Sequence, residues 1–139
     1  MVIHESLRLY PPATILHRKA FKDMKFGNIF VPKGVIVWTS LATIHTDPEI
    51  WGPDAYDFKP DRFANGISGA CKLPYLYMPF GMGPRVCLGQ NLAVIELKIV
   101  IALIVTNFSF SLSPNYLHSP AGRLVLEPET GVDLLMKKL

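Results

Sequence analysis

The sequence predicts a mixed α+β fold, mainly α, and three observations carry that expectation. The run Leu92–Val105 is apolar apart from Glu96 and Lys98, and it reads as the centre of one long helix from about Leu88 to Thr106. Short apolar or alternating runs bounded by glycine and proline, such as Phe108-Ser109-Phe110-Ser111-Leu112, read as strands. Half of the 139 residues are hydrophobic and 18% are charged, which excludes disorder from lack of apolar surface. A chain of this length is the usual size of one domain and buries roughly 70% of its unfolded surface. Its 14 Lys and Arg outnumber its 11 Asp and Glu by only three, without runs, so nucleic acid is not an expected partner. A mean hydropathy of +0.27 is high for a free-standing soluble domain.

Taken in order, the elements begin with a short helix. Val2, Ile3, Leu7, Leu9 and Tyr10 share an apolar pattern that stops at Pro11-Pro12. No capping residue precedes it, so the expectation is that upstream sequence is missing. Thr14–Phe21 alternates weakly, as a strand does, and Met24–Val31 reads as two short strands around Gly27-Asn28. Pro32-Lys33-Gly34 is a turn, and Val35–Trp38, apolar on both faces, reads as a buried strand. Asp47 before Pro48 caps a short helix that ends near Gly52.

From Pro53 to Pro84 the chain is proline-rich and without period, and so long a loop is commonly functional. The long helix follows. Its apolar centre spans about 21 Å, short of the roughly 30 Å core of a bilayer, so it reads as buried within protein. After Phe108–Leu112, the runs Leu124–Leu126 and Val132–Met136 suggest a last hairpin. No signal-peptide pattern is present. Two cysteines, Cys71 and Cys87, are too few for a disulfide framework, and a reducing compartment is the better expectation.

The most informative stretch is Phe80-Gly81-Met82-Gly83-Pro84-Arg85-Val86-Cys87-Leu88-Gly89. Two glycines and a proline force a compact turn, and Cys87 stands at the start of the long helix, where the dipole favours thiolate. Arg85 adds positive charge, and Gly89 lets something bulky lie close. A buried free cysteine is the plain alternative. A nucleophile would need a base that no nearby residue supplies. A zinc site would need more ligands at short spacing, and a phosphate loop a further glycine and a Lys-Ser/Thr pair. An axial thiolate for haem iron accounts for the cysteine, the glycines and the arginine together.

This stretch resembles the haem-ligand loop of cytochromes P450, Phe-Gly-x-Gly-x-Arg-x-Cys-x-Gly, at every fixed position, and Ala93 and Glu96 match the helix that follows it. Glu5-Ser6-Leu7-Arg8 resembles the family's Glu-x-x-Arg motif; on spacing alone this would be a surface pair worth about 0.2–0.5 kcal/mol. Phe58-Lys59-Pro60-Asp61-Arg62-Phe63 resembles its Pro-Glu-Arg-Phe segment with Asp61 for the usual Glu, and His45-Thr46-Asp47-Pro48 its His-Arg-Asp-Pro segment. The resemblance runs over the whole chain and matches the C-terminal third or less of the family, so residues 1–139 read as the C-terminal portion of one domain. The elements it implies are the end of the Glu-x-x-Arg helix, a small sheet, a meander, the cysteine loop, a long buried helix and a C-terminal hairpin.

By that resemblance Cys87 is the axial ligand of the iron of haem b. Arg18, Phe80, Gly81, Arg85, Gly89 and Ala93 join it around the cofactor, with Arg18 and Arg85 placed for the propionates. Glu5, Arg8 and Arg62 form a buried structural cluster that cannot lose one member cheaply. His4, His17 and His118 are read as packing or surface residues, and Cys71 as a bystander. The implied complete enzyme is a haem-thiolate monooxygenase that inserts one oxygen atom of O2 into an organic substrate. It draws electrons from NADPH through NADPH-cytochrome P450 reductase and takes a small hydrophobic substrate, of which a diterpenoid is one candidate. The detailed likeness is to plant enzymes of the 72 clan, the gibberellin-oxidising type among them. Such enzymes sit on the cytosolic face of the endoplasmic reticulum membrane through an anchor not found in this chain. The alternative is a catalytically inactive haem-binding or interaction fragment. The chain by itself is expected to fold poorly and to lack turnover.

Overall fold

The computed structural model describes residues 1–123 and 125–139. Helix α1 (Val2–Leu9) ends at Tyr10, whose N–H donates to Ser6 O at 2.8 Å before the two prolines. Strand β1 (Ile15–Lys19) pairs antiparallel with β4 (Ile36–Ser40), from Ile15 opposite Ser40 to Lys19 opposite Ile36. Between them β2 (Met24–Phe26) and β3 (Ile29–Val31) form the expected hairpin, and Gly27 takes the left-handed φ of 57° that its turn requires.

Two short helices follow. The first, α2 (Leu41–His45), was not expected from the sequence; Ser40 Oγ accepts from Thr43 N–H at 3.3 Å and starts it directly off β4. The second, α3 (Pro48–Trp51), was expected: Asp47 Oδ1 accepts from Glu49 N–H at 2.9 Å, Pro48 opens it, and Gly52 closes it at φ 93°. The irregular stretch to Pro84 carries four single turns of 3₁₀ helix, Pro60–Phe63, Ile67–Gly69, Pro74–Leu76 and Gly83–Arg85.

This irregular stretch holds the core together with the end of α3. Trp51, Ala55, Phe63, Ala70 and Tyr77 cluster there, with Ile50 and Cys71 packed against them. Pairs of rings such as Phe63 and Tyr77, 5.1 Å between centroids, replace the regular packing a helix pair would give. Helix α1 lies against the Pro60–Phe63 turn, α2 and the long helix. Cys71 is thus half-buried beside the core, and burial pushes its thiol pKa up.

Three expectations are corrected. The long helix, α4, runs Gln90–Asn107, and none of its residues is buried, because its apolar side chains extend all round it and the described residues cover little of it. At 18 residues it is about 27 Å long. It is the one helix among the described residues long and apolar enough to cross a membrane by length and composition. Strand β4 is likewise exposed, with Trp38 68% accessible, since pairing with β1 leaves its two faces open.

The third correction concerns the last hairpin. Leu124 lies outside the described residues, and the runs flanking Pro128 do not pair with each other. Instead β7 (Leu126–Pro128) returns along β6 (Pro120–Gly122), while β8 (Leu134–Lys138) pairs with β5 (Phe108–Leu112) across a long connection. The alternation of Phe108–Leu112 needed a partner, and the five residues of β8 match it in length where the three of β7 do not.

Candidate functional site

Two clusters of the expected residues form. In the first, Glu5 and Arg8 stand one turn apart on α1, and both are fully buried. Arg8 grips the carboxylate with both edges of its guanidinium, Nε to Oε2 and Nη2 to Oε1, each at 2.8 Å. Its remaining hydrogens go to main-chain carbonyls, Nη1 to His45 O (2.7 Å) and Ala55 O (2.6 Å), and Nη2 to Asp57 O (3.1 Å). Its guanidinium carbon lies 5.0 Å from the Trp51 ring centroid. Lys59 N–H donates to Glu5 Oε1 at 2.8 Å.

Arg62 completes this cluster from the 3₁₀ turn, with Nε 3.7 Å from Glu5 Oε1. That distance is a charge contact rather than a hydrogen bond; the guanidinium is held instead by Trp51 O (2.8 Å), Asp54 O (2.9 Å) and Asp54 Oδ1 (3.1 Å). Burial opposes ionisation of Glu5, but the bonds from Arg8 and Lys59 N–H and the charges of Arg8 and Arg62 outweigh it and hold its pKa below the usual range. Asp54, bonded to Lys59 and Arg62, falls to about 2. Asp61, the departure from the resembled segment, is exposed and outside the cluster.

The second cluster is built by the cysteine loop. Gly81 at φ 77° and Gly83 at φ 72° take conformations that side chains resist, and they fold the loop so that Cys87 N–H reaches Phe80 O at 2.8 Å. A side chain at Gly81 would also meet Arg85 O at 3.7 Å and Leu16 Cδ1 at 3.9 Å. Cys87 is exposed and lies two residues before the Gly89 cap of α4, slightly farther from the helix than expected. A Cβ on Gly89 would stand 4.0 Å from Cys87 Sγ, so glycine keeps the sulfur's flank open. Ala93 lies in the first turn of α4, its N–H donating to Gly89 O at 2.9 Å.

Cys87, Phe80, Gly81, Arg85 and Arg18 all line one open concavity of about 350 Å³, with Leu16 and Val125 on its walls. Arg18 comes from β1 and Arg85 from the loop, so residues 67 positions apart in the chain meet at one opening. Arg18 Nη1 donates to His17 O at 2.9 Å. The concavity thus has a soft sulfur donor and two cations on mostly apolar walls, a donor set that suits the iron, the carboxylates and the flat apolar body of a haem. No group of three or more His, Cys, Asp or Glu that could hold a metal ion occurs among the described residues.

A further buried residue belongs with these, from the segment whose resemblance marks it as structural. His45, at the end of α2, is fully buried, and its Nε2 accepts from Met78 N–H at 3.1 Å. Burial lowers its pKa to about 4. Only the apolar Leu41 and Ile44 beside it hinted at burial. His4 packs against Phe63 and Tyr77, and His118 lies between the hydroxyls of Tyr10 and Tyr116, at 3.3 and 3.0 Å, as packing residues would.

Known proteins resemble this chain in sequence and in fold. The sequence model of the family Cytochrome P450 matches residues 1–135. Cytochrome P450 714C2 of Oryza sativa subsp. japonica is 58% identical over 139 residues, covering 100% of this chain and 27% of that protein. Cytochrome P450 714A2 of Arabidopsis thaliana is 58% identical over 132 residues, 95% of this chain and 25% of that protein. The 11-oxo-beta-amyrin 30-oxidase of Medicago truncatula is 48% identical across 100% of this chain and 26% of its own length. The chain therefore spans about a quarter of these relatives. A solved structure, retinoic acid bound cyanobacterial CYP120A1, superposes with a TM-score of 0.88 at 30% identity, over 99% of this chain and 32% of that one. On a match this extensive, with the buried Glu5–Arg8 pair and the glycine-built cysteine loop both in place, the chain belongs to the cytochrome P450 family.

Proposed function

We propose that residues 1–139 are the C-terminal, haem-ligating portion of a single cytochrome P450 domain, in which Cys87 would supply the thiolate that holds the iron. The observation that carries this reading is the meeting of Cys87, Arg18 and Arg85 at one concavity. Cys87 lies at the opening, and its N–H donates to Phe80 O, which fixes the main chain that carries the sulfur. Arg18 and Arg85 would offer guanidinium forks to the propionates, and Phe80 and Gly81 on the walls, with Gly89 and Ala93 beyond Cys87, would supply a close apolar bed. Glu5, Arg8 and Arg62 tie α1 to the end of α2 and to the turns from Trp51 to Arg62. When bound, the haem supplies the activation of O2 for insertion of one oxygen atom into the substrate.

In the complete enzyme, electrons come from NADPH through NADPH-cytochrome P450 reductase, and the substrate is a small hydrophobic molecule. The gibberellin-oxidising likeness favours a diterpenoid, and the name of the Medicago relative supports an oxidase acting on an apolar natural product. The seat is the cytosolic face of the endoplasmic reticulum membrane. The apolar sides of α4 then meet the remaining part of the domain, of which this chain is about a third by length in the superposed structure.

The test is the carbon monoxide difference spectrum of the reduced, haem-loaded protein. Cys87→Ala abolishes the red-shifted band of thiolate ligation, while Cys71→Ala, half-buried beside the aromatic core, retains it. Equal behaviour of the two variants would overturn the assignment.

A further inference from the structure

We infer that His45 is a positioning residue for Cys87, the strut through which the buried Glu5–Arg8 pair sets the cysteine loop. The inference rests on the reading of Cys87 as iron ligand and adds to it a residue 42 positions away. It follows from one unbroken path of hydrogen bonds. Arg8 Nη1 donates to His45 O at 2.7 Å, and Met78 N–H donates to His45 Nε2 at 3.1 Å. Gly81 N–H donates to Met78 O at 2.8 Å, which closes the left-handed turn, and Cys87 N–H donates to Phe80 O at 2.8 Å. A guanidinium already locked by Glu5 therefore fixes the carbonyl of His45, and the ring of the same residue fixes the first amide of the loop.

Two features separate this role from simple core filling. The ring is fully buried between aromatic neighbours, with centroids 5.6 Å from Tyr77 and 6.3 Å from Trp51, so its tilt is set and its Nε2 is aimed. For Nε2 to accept, the imidazole must be neutral with its hydrogen on Nδ1, the tautomer assigned from this bond. Nδ1 is itself buried without a hydrogen-bond partner among the described residues, although main-chain groups of Arg8 and Leu76 lie near enough to act on the ring. A leucine would fill similar space and leave Met78 N–H unpaired. A glutamine carries an acceptor oxygen near the place of Nε2.

The experiment compares wild type, His45→Leu and His45→Gln in the haem-loaded holoprotein, with two readouts. Hydrogen exchange at the Met78 and Cys87 amides is expected to quicken about tenfold or more in His45→Leu, since a buried donor has lost its acceptor. Part of the reduced carbon monoxide signal is expected to leave the thiolate band. His45→Gln restores both. Where His45→Leu does not fold, His45→Asn, whose amide is too short to reach Met78, takes its place. Wild-type behaviour of the acceptor-less variant, or equal damage in it and His45→Gln, would overturn the inference. A wild-type protein without a thiolate band would instead overturn the reading of Cys87, while amide exchange still decides the strut.

Discussion

Glu5 shows how far spacing alone can mislead about a residue. An i,i+3 acid–base pair on a short helix reads as a solvated ion pair, yet both members are fully buried and every oxygen of the carboxylate is engaged. What buries them is remote in sequence: carbonyls at 45, 55 and 57, the amide of Lys59, and Arg62 at 3.7 Å. Family resemblance, not periodicity, carried that expectation. Glu5→Gln keeps the shape and strands the Arg8 charge, so it is expected to cost about 3–5 kcal/mol in urea unfolding. Glu127→Gln, which loses only the exposed pair with Arg123, is expected to cost less than about 1 kcal/mol. Equal losses would mean that the pair behind the cysteine loop is no more than surface chemistry.

Elements were legible wherever local chemistry decides them. Asp47-Pro48 and Gly52 bounded α3, Gly27-Asn28 bounded the β2–β3 hairpin, and the run through Leu92 marked α4 to within two residues at its start. Helix α2 was missed because five residues offer barely one turn of pattern, and its Ser40 cap sits inside a strand. Strand partners were misjudged at the end of the chain because pairing is a tertiary choice; neighbouring runs looked like a hairpin, and matched length took β8 to β5 instead. The irregular stretch looked like an open loop, yet Phe63 and Tyr77 from it build the core with Trp51 of α3. Aromatic spacing without period leaves no sequence signature.

At the scale of the whole molecule, the balance of burial and charge gives an acid dependence whose sign can be worked out. His45 is neutral in the fold with a pKa of about 4 against 6.5 unfolded, beside the charge of Arg8 and the ring of Tyr77. The unfolded chain therefore binds a proton first, and stability falls as pH drops from 6.5 towards 4, by on the order of 3 kcal/mol. Glu5, whose pKa is lowered from 4.5, contributes stability present above 4.5 and lost as pH falls through its folded value. Urea midpoints measured from pH 7 to 4 are expected to decline throughout that window, and His45→Gln to flatten the upper part. A flat wild-type profile would contradict the buried neutral imidazole.

The two arginines, the glycines of the loop and the path from Arg8 through His45 all converge on one residue, Cys87. The iron-edge X-ray absorption spectrum of the haem-loaded protein tests that convergence most directly. The expected result is one sulfur neighbour at iron in wild type and in Cys71→Ala, and none in Cys87→Ser. A sulfur shell that survives in Cys87→Ser, or that is lacking in wild type, would contradict the account.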